Sequence, residues 1–111
     1  MPGESFEVEL TQGAEDDLTA IHGYMVCNRS VDDADELLDE FIACVETLER
    51  FPQRGSVPKE LDALGIREFR QILLRHFRVI YRINGSKVFV MIIADGRRDM
   101  QTLLERRLLG Q

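Results

Sequence analysis

The chain has 111 residues, 44% of them hydrophobic, and a formal charge of −6, which is enough length and apolar content for a single domain spanning 1–111 and argues against disorder. Its first residues, Met-Pro-Gly-Glu-Ser, lack the basic and apolar regions of a signal peptide, and its longest apolar run, Val88 to Ala94, is too short to cross a bilayer. A cytoplasmic protein without membrane association is therefore expected.

In chain order, Phe6, Val8 and Leu10 alternate with Glu7 and Glu9, the pattern of a short half-buried strand. Ala14, Leu18, Ile21 and Met25 then recur at spacings of four, three and four, which places them on one face of a first helix. Tyr24 extends that stripe, and His22 beside it reads as a packing residue. Ser30 with Asp33 predicts a capping box with Asp in place of Glu, after which Ala34, Leu38, Phe41, Val45 and Leu48 line a second helix that ends at Phe51-Pro52. Asp32, Asp33, Asp35 and Glu36 fall in its first turns, where a helix N-terminus favours negative charge, so they need no metal to explain them. The link from Cys27 to Ser30 is short enough to make the two helices an antiparallel hairpin. Cys27 and Cys44, both helical and not in a Cys-x-x-Cys pair, are expected as reduced, packed thiols. The Asn28-Arg29-Ser30 sequon has no role in a cytoplasmic chain.

Residues 53 to 64 contain Arg54-Gly55 and Pro58 and read as a loop with a helical turn from Lys59 to Leu64. A strand is expected from Arg67 to Leu74, a turn at Arg75-His76, and a further strand in which Phe77, Val79, Tyr81 and Ile83 share one face and Arg78 and Arg82 the other. Asn84-Gly85 predicts a type I′ hairpin turn. Val88 to Ala94 is apolar on both faces, as a central strand is, and Asp99 to Leu109 closes the chain with a short helix carrying Leu103, Leu104, Arg106 and Arg107. The expected class is α+β: an N-terminal strand, an α-helical hairpin, a three-stranded antiparallel meander and a short C-terminal helix, the hairpin covering one face of an antiparallel sheet.

Charge divides along the chain. Residues 1–55 carry 14 acids and 3 bases, residues 56–111 carry 6 acids and 11 bases. A net acidic chain has no general attraction to nucleic acid, but a local basic face can still bind phosphate or an acidic protein. Equally, the acids can solvate the helices and the arginines can pair with them.

Ala14, Asp17, Leu18, Ile21 and Tyr24, then Phe51-Pro52 with Arg54-Gly55, Gly65 with Arg67, the run from Phe77 to Arg82, and Arg97-Arg98-Asp99 together resemble the ParE/RelE superfamily of toxins from type II toxin–antitoxin systems. The resemblance covers nearly the whole chain. It implies a growth-arresting toxin neutralised by an antitoxin encoded beside it, whose C-terminal segment wraps across the toxin's helices and sheet in a heterotetramer or larger assembly, with operator DNA bound only through the antitoxin. An edge strand and an apolar groove beside a helical hairpin are physically suited to such a partner, by strand addition or helix-in-groove docking.

The superfamily contains two activities. RelE-like members cut mRNA in the ribosome with sheet arginines or lysines that stabilise phosphate charge and, in many, a Tyr or His near the C-terminus that moves a proton. Against that pattern, Arg78 falls at the strand arginine, Arg98 near the arginine after the last strand, and Arg70 at one further basic position. Ile72 stands where a second base is expected, and Leu103 and Leu104 replace the proton-transfer group. His76 is the one candidate substitute, but it falls at a predicted turn at the far end of the strand from Arg98, where a histidine is usually just solvated. The residues contain no Ser-His-Asp set, metal-ligand spacing or Gly-rich phosphate loop, and no cofactor is implied. The resemblance therefore favours the ParE-like branch, whose members lack the ribonuclease set and poison DNA gyrase by stabilising its cleaved-DNA complex. On that reading the protein is an inhibitor rather than an enzyme, its antitoxin is ParD-like, and Arg78, Arg82, Arg97, Arg98, Arg106 and Arg107 contact gyrase or its DNA. The alternatives are a RelE-like ribonuclease using Arg70, Arg78 and Arg98, and an inactive toxin-fold module that binds only its antitoxin.

Overall fold

The computed structural model describes residues 5–110, so residues 1–4 and 111, the ends of the expected 1–111 domain, lie outside the described residues. The chain runs through β1 (Glu7–Leu10), α1 (Gln12–Asn28), α2 (Val31–Glu46), two short 3-10 turns, α3 (Lys59–Asp62), β2 (Phe69–Leu74), β3 (Phe77–Asn84), β4 (Lys87–Asp95) and α4 (Met100–Leu109). The α+β class and the order of elements are as the sequence predicts. Among the described residues, no helix is long and apolar enough to cross a membrane.

The four strands form one sheet in the order β1-β4-β3-β2. β2, β3 and β4 make the antiparallel meander, but β1 lies parallel to β4, pairing Glu7 with Lys87 through Leu10 with Val90. The sheet is therefore mixed, not wholly antiparallel. A tight turn forces antiparallel pairing, whereas the long path from β1 through the helices to β4 imposes no such direction.

Both faces of the sheet are covered. On one, Leu37, Phe41, Val45 and Leu48 pack against Ile72, Val79, Tyr81, Val88, Val90 and Ile93, with Leu18, Ile21 and Met25 of α1 joining from the side. Phe41 meets Phe77 edge-to-face at a centroid separation of 5.3 Å, a geometry aromatic quadrupoles favour. On the other, Leu61 of α3 and Met100, Leu103 and Leu104 of α4 cover Phe69, Ile80, Ile92 and Ala94. Full burial of each large apolar side chain contributes about 1.5–3 kcal/mol, so the small helices α3 and α4 are held mainly by these few residues.

The register explains why Val88 to Ala94 shows no clean alternation. Ile80 pairs with Ile92 and Tyr81 with Val90, which leaves Met91 unopposed as a bulge. Val88 and Val90 face the hairpin before the bulge, Ile93 faces it afterwards, and Ile92 and Ala94 turn to the other side.

Several local expectations change. Leu37, not Leu38, is the fully buried leucine of α2. Tyr24 is 67% exposed, because it lies about 100° round the helix from Met25 and so at the rim of the stripe. His22 is half-buried beside Leu18, Ile21, Leu37 and Phe41, and its Nε2 sits 2.9 Å from Asp35 Oδ1, linking α1 to α2. Cys27 is exposed, and only Cys44 is partly buried, with its thiol pushed up by desolvation. Ser30 Oγ accepts from the Asp33 N–H at 2.9 Å, but the Asp33 carboxylate turns to Arg29 at 3.4 Å, so half of the capping box forms. The β3-β4 turn falls on Gly85-Ser86, with Asn84 paired to Lys87. Only Gly85 has positive φ, +63°, so the turn is of type II′ rather than I′.

Candidate functional site

The sheet's arginines fall into two groups. Arg78, on β3, is buried, at 9% exposure. Its Nη1 and Nη2 donate to Glu60 Oε2 and Oε1 at 2.9 and 2.8 Å, and its Nε donates to Gln71 Oε1 at 2.7 Å. These bonds hold the Glu60 carboxyl below its ordinary value. A Cβ at position 96 would sit 2.9 Å from Arg78 Cδ, so Gly96 lets the arginine stem cross the end of β4. Glu60 reaches Arg78 from α3, whose four residues carry no helical periodicity, so the pair had no signal in the sequence.

Arg107 is similarly engaged. It donates from Nη1 and Nη2 to the Asp17 carboxylate, each at 3.1 Å, and from Nη2 to the Met91 carbonyl at 3.0 Å. Asp17 Oδ2 also accepts from the Ile93 N–H at 2.9 Å. Beyond Leu10, where β1 ends, the outer edge of β4 thus has its polar groups satisfied by a carboxylate from α1 and a guanidinium from α4. A sequence signal for this existed: Asp17 sits within the apolar stripe of α1, where an acid needs a partner.

Arg70 donates to the Gly55 carbonyl at 2.6 Å. Gly55 is held again by Tyr81, whose hydroxyl accepts from the Gly55 N–H at 3.0 Å and donates to the Pro52 carbonyl at 2.6 Å. Burial pushes the Tyr81 phenol up. Arg70, Tyr81 and Arg78 are thus bound into the fold.

The remaining arginines are open. Arg97 is 73% exposed and pairs within its own turn, donating to Asp95 at 2.9 and 2.6 Å. These bonds hold the Asp95 carboxyl well below the usual carboxylate range. Arg98 and Arg106 are exposed, and their side chains have no ion-pair partner among the described residues. Arg82 is partly exposed and 3.9 Å from Glu68.

Arg97 and Arg98 line a cleft of about 760 Å³ between the turn end of the helical hairpin and the end of the sheet, floored by Ile21, Met25, Leu37, Phe77 and Ile93. The same cleft contains Arg75 and His76. The expectation that His76 lies far from Arg98 is corrected by the register: Phe77 pairs with Asp95, and the His76 carbonyl accepts from the Gly96 N–H at 2.8 Å. His76 Nε2 lies 3.6 Å from Asp95 Oδ2, with its ring tilted against Phe77. The structure therefore brings Arg97, Arg98 and His76 together in one cleft, which Arg78, Arg70 and Arg107, committed to internal bonds, do not line.

Comparison with known proteins gives a consistent assignment. The family described as the ParE toxin of the type II toxin–antitoxin system, parDE, matches residues 8–100. A chain from a structure of the chromosomal ParDE TA system from P. aeruginosa is similar with a TM-score of 0.69 and 18% identity, over 82% of this chain and 96% of that one. A chain from the toxin–antitoxin complex RelBE2 of Mycobacterium tuberculosis is similar with a TM-score of 0.60 and 18% identity, over 83% of this chain and 99% of the other. No curated protein matches the sequence.

Proposed function

The chain belongs to the ParE toxin family of type II toxin–antitoxin systems, and from that premise we propose that it arrests growth by binding DNA gyrase and stabilising its cleaved-DNA complex, and that a ParD-like antitoxin neutralises it. The observation that carries this reading is the fate of Arg78. An arginine that stabilises a reacting phosphate must present its guanidinium to that phosphate. Here the guanidinium is spent on Glu60 and Gln71. Of the candidate contact residues, the cations left on the surface, Arg97, Arg98 and Arg106 with Arg82 partly exposed at the opposite end of β3, suit contact with an acidic partner surface or a DNA backbone.

One observation favours a second reading, ribosome-dependent mRNA cleavage. His76 is a group able to move a proton, and it shares the cleft with Arg97, Arg98 and the ionised Asp95. Both readings are tested by incubating the purified protein with gyrase, ATP and supercoiled plasmid, then denaturing the mixture. Linear DNA covalently bound to gyrase is the expected product. Its absence from reactions in which gyrase still supercoils would reject gyrase poisoning, and truncated mRNA in a translating extract would then establish the second reading.

A further inference from the structure

The cleft at the turn end of the hairpin has two walls of different character. The sheet wall carries Arg75, His76, Arg97 and Arg98, and the hairpin wall carries Tyr24, Arg29, Asp33 and Glu36. Most of the charges that line it are already answered. Arg75 donates to both oxygens of Glu40 at 3.0 and 2.6 Å, Arg97 is bonded to Asp95, Asp17 accepts from Arg107, and Arg29 lies 3.4 Å from Asp33. Two have no ion-pair partner among the described residues: Arg98 on the sheet wall and Glu36 on the hairpin wall, both exposed.

At about 760 Å³ the cleft falls within the range of small-ligand sites, roughly 300–1,000 Å³. Its floor is apolar, and the exposed ring of Tyr24 offers a flat face on the hairpin wall. A ligand that answers all of this is flat and weakly polar in the middle, anionic at the end that meets Arg98, and rich in N–H donors at the end that meets Glu36. A simple anion leaves Glu36 unanswered, and a simple amine leaves Arg98 unanswered. A guanine nucleotide has the full set: phosphate oxygens suited to a guanidinium, a ring that stacks on an aromatic side chain, and an edge with two adjacent donors, which a carboxylate accepts together.

We infer that this cleft binds a free guanine mononucleotide, with its phosphate on Arg98, its base over the apolar floor against Tyr24, and its N1–H and N2–H groups donating to the Glu36 carboxylate. Stacking accepts any base, so the choice of base falls to Glu36. Guanine turns two donors towards it, whereas adenine turns one donor and a ring nitrogen whose lone pair the carboxylate repels. The free nucleotide is preferred to a strand because a strand carries a phosphate at every nucleotide and is followed by a groove of cations. Among the described residues that line the cleft, Arg98 is the one arginine without an ion-pair partner. The inference rests on the cleft alone and on neither reading of toxicity.

The test titrates the full chain with GMP, IMP, AMP and guanosine and follows the amide resonances by NMR. GMP is expected to shift the Tyr24, Glu36, His76 and Arg98 amides saturably and to bind about fivefold or more tightly than AMP, the lower end of what a good bidentate base contact gives. IMP, one donor short of GMP, should fall between them. Glu36→Ala should bring GMP down to AMP, Arg98→Ala should bring GMP down to guanosine, and Tyr24→Ala should weaken every ligand. All three side chains are exposed, and unchanged amide spectra away from the cleft check that each variant folds. Absence of shifts at millimolar GMP, equal affinity for GMP and AMP, or a preference that survives Glu36→Ala would each overturn the proposal. So would much tighter binding of the trinucleotide UGU than of GMP, which marks a nucleic-acid strand as the occupant. A chain that arrests growth without binding GMP loses this inference and keeps its proposed function; one that binds GMP without arresting growth does the reverse.

Discussion

Arg78 and Arg98 stand at the two ends of one design problem. Arg78 lies under α3, almost out of water, and every part of its guanidinium is bonded; Arg98 lies in solvent beyond β4 with its side chain unpaired among the described residues. A buried charge is tolerated only with a partner and full hydrogen bonding, whereas an exposed one costs little to leave unpaired. The comparison separates arginines that hold the fold together from arginines that remain available to another molecule, a distinction that residue type and strand position alone do not make.

The sharpest way to break that distinction is Arg78→Ala. It leaves the Glu60 carboxylate without its guanidinium partner, and loss of one member of a buried pair costs about 3–5 kcal/mol. Urea unfolding should show the midpoint fall accordingly, with part of the loss recovered when Glu60→Ala is added. An unchanged midpoint would mean that the pair is solvated and that Arg78 belongs with the exposed group. Tyr81→Phe should cost less, about 1–3 kcal/mol, because it removes one hydroxyl and leaves the Gly55 N–H and Pro52 carbonyl without that partner.

The pH dependence of stability sharpens the same contrast. In the folded chain Glu60 is held below its ordinary 4.5, chiefly by hydrogen bonds from Arg78, and Asp95 below its ordinary 3.8, chiefly by those from Arg97. For both groups the unfolded chain takes up the proton first as pH falls, so their contribution is fully present above the ordinary value and is lost as pH drops through the folded one. Glu60→Gln should therefore flatten the loss of stability between roughly pH 5 and pH 3. Asp95→Asn should flatten it less, because Arg97 is mostly in solvent and its pairing is screened. Unfolding midpoints of the two variants across that range decide the order.

What the sequence disclosed follows the same division. Hydrophobic period revealed β1, both long helices, the meander and α4, because each buries a repeated face. Period carries no register, so it misplaced His76 relative to Arg98, and it passed over the Met91 bulge, which shows only as a strand apolar on both sides. Nor could it reveal Glu60, since a four-residue helix has no repeat to detect and its partner lies eighteen residues away. Asp17 was legible in principle: an acid in the middle of an apolar stripe announces a buried partner, which proves to be Arg107 together with the free edge of β4. The arginines of the site were visible as residues, but their burial, which decides what each one does, was not.

The smallest expected effect on stability belongs to Arg97→Ala with Arg98→Ala. Arg97 pairs only within its own turn, and the Arg98 backbone N–H, which donates to the Asp95 carbonyl, survives the change. The unfolding midpoint should move less than in any variant above, by the small screened contribution of the Arg97–Asp95 pair. Growth inhibition should nevertheless fall sharply if these arginines touch the target, because charges at the edge of an interface control the rate of encounter. The two readouts must therefore move in opposite order to those of Arg78→Ala, where stability falls first and toxicity only with it. A double variant that folds as before and arrests growth undiminished would remove Arg97 and Arg98 from the toxic surface and leave Arg82 and Arg106 as the exposed cations to examine next.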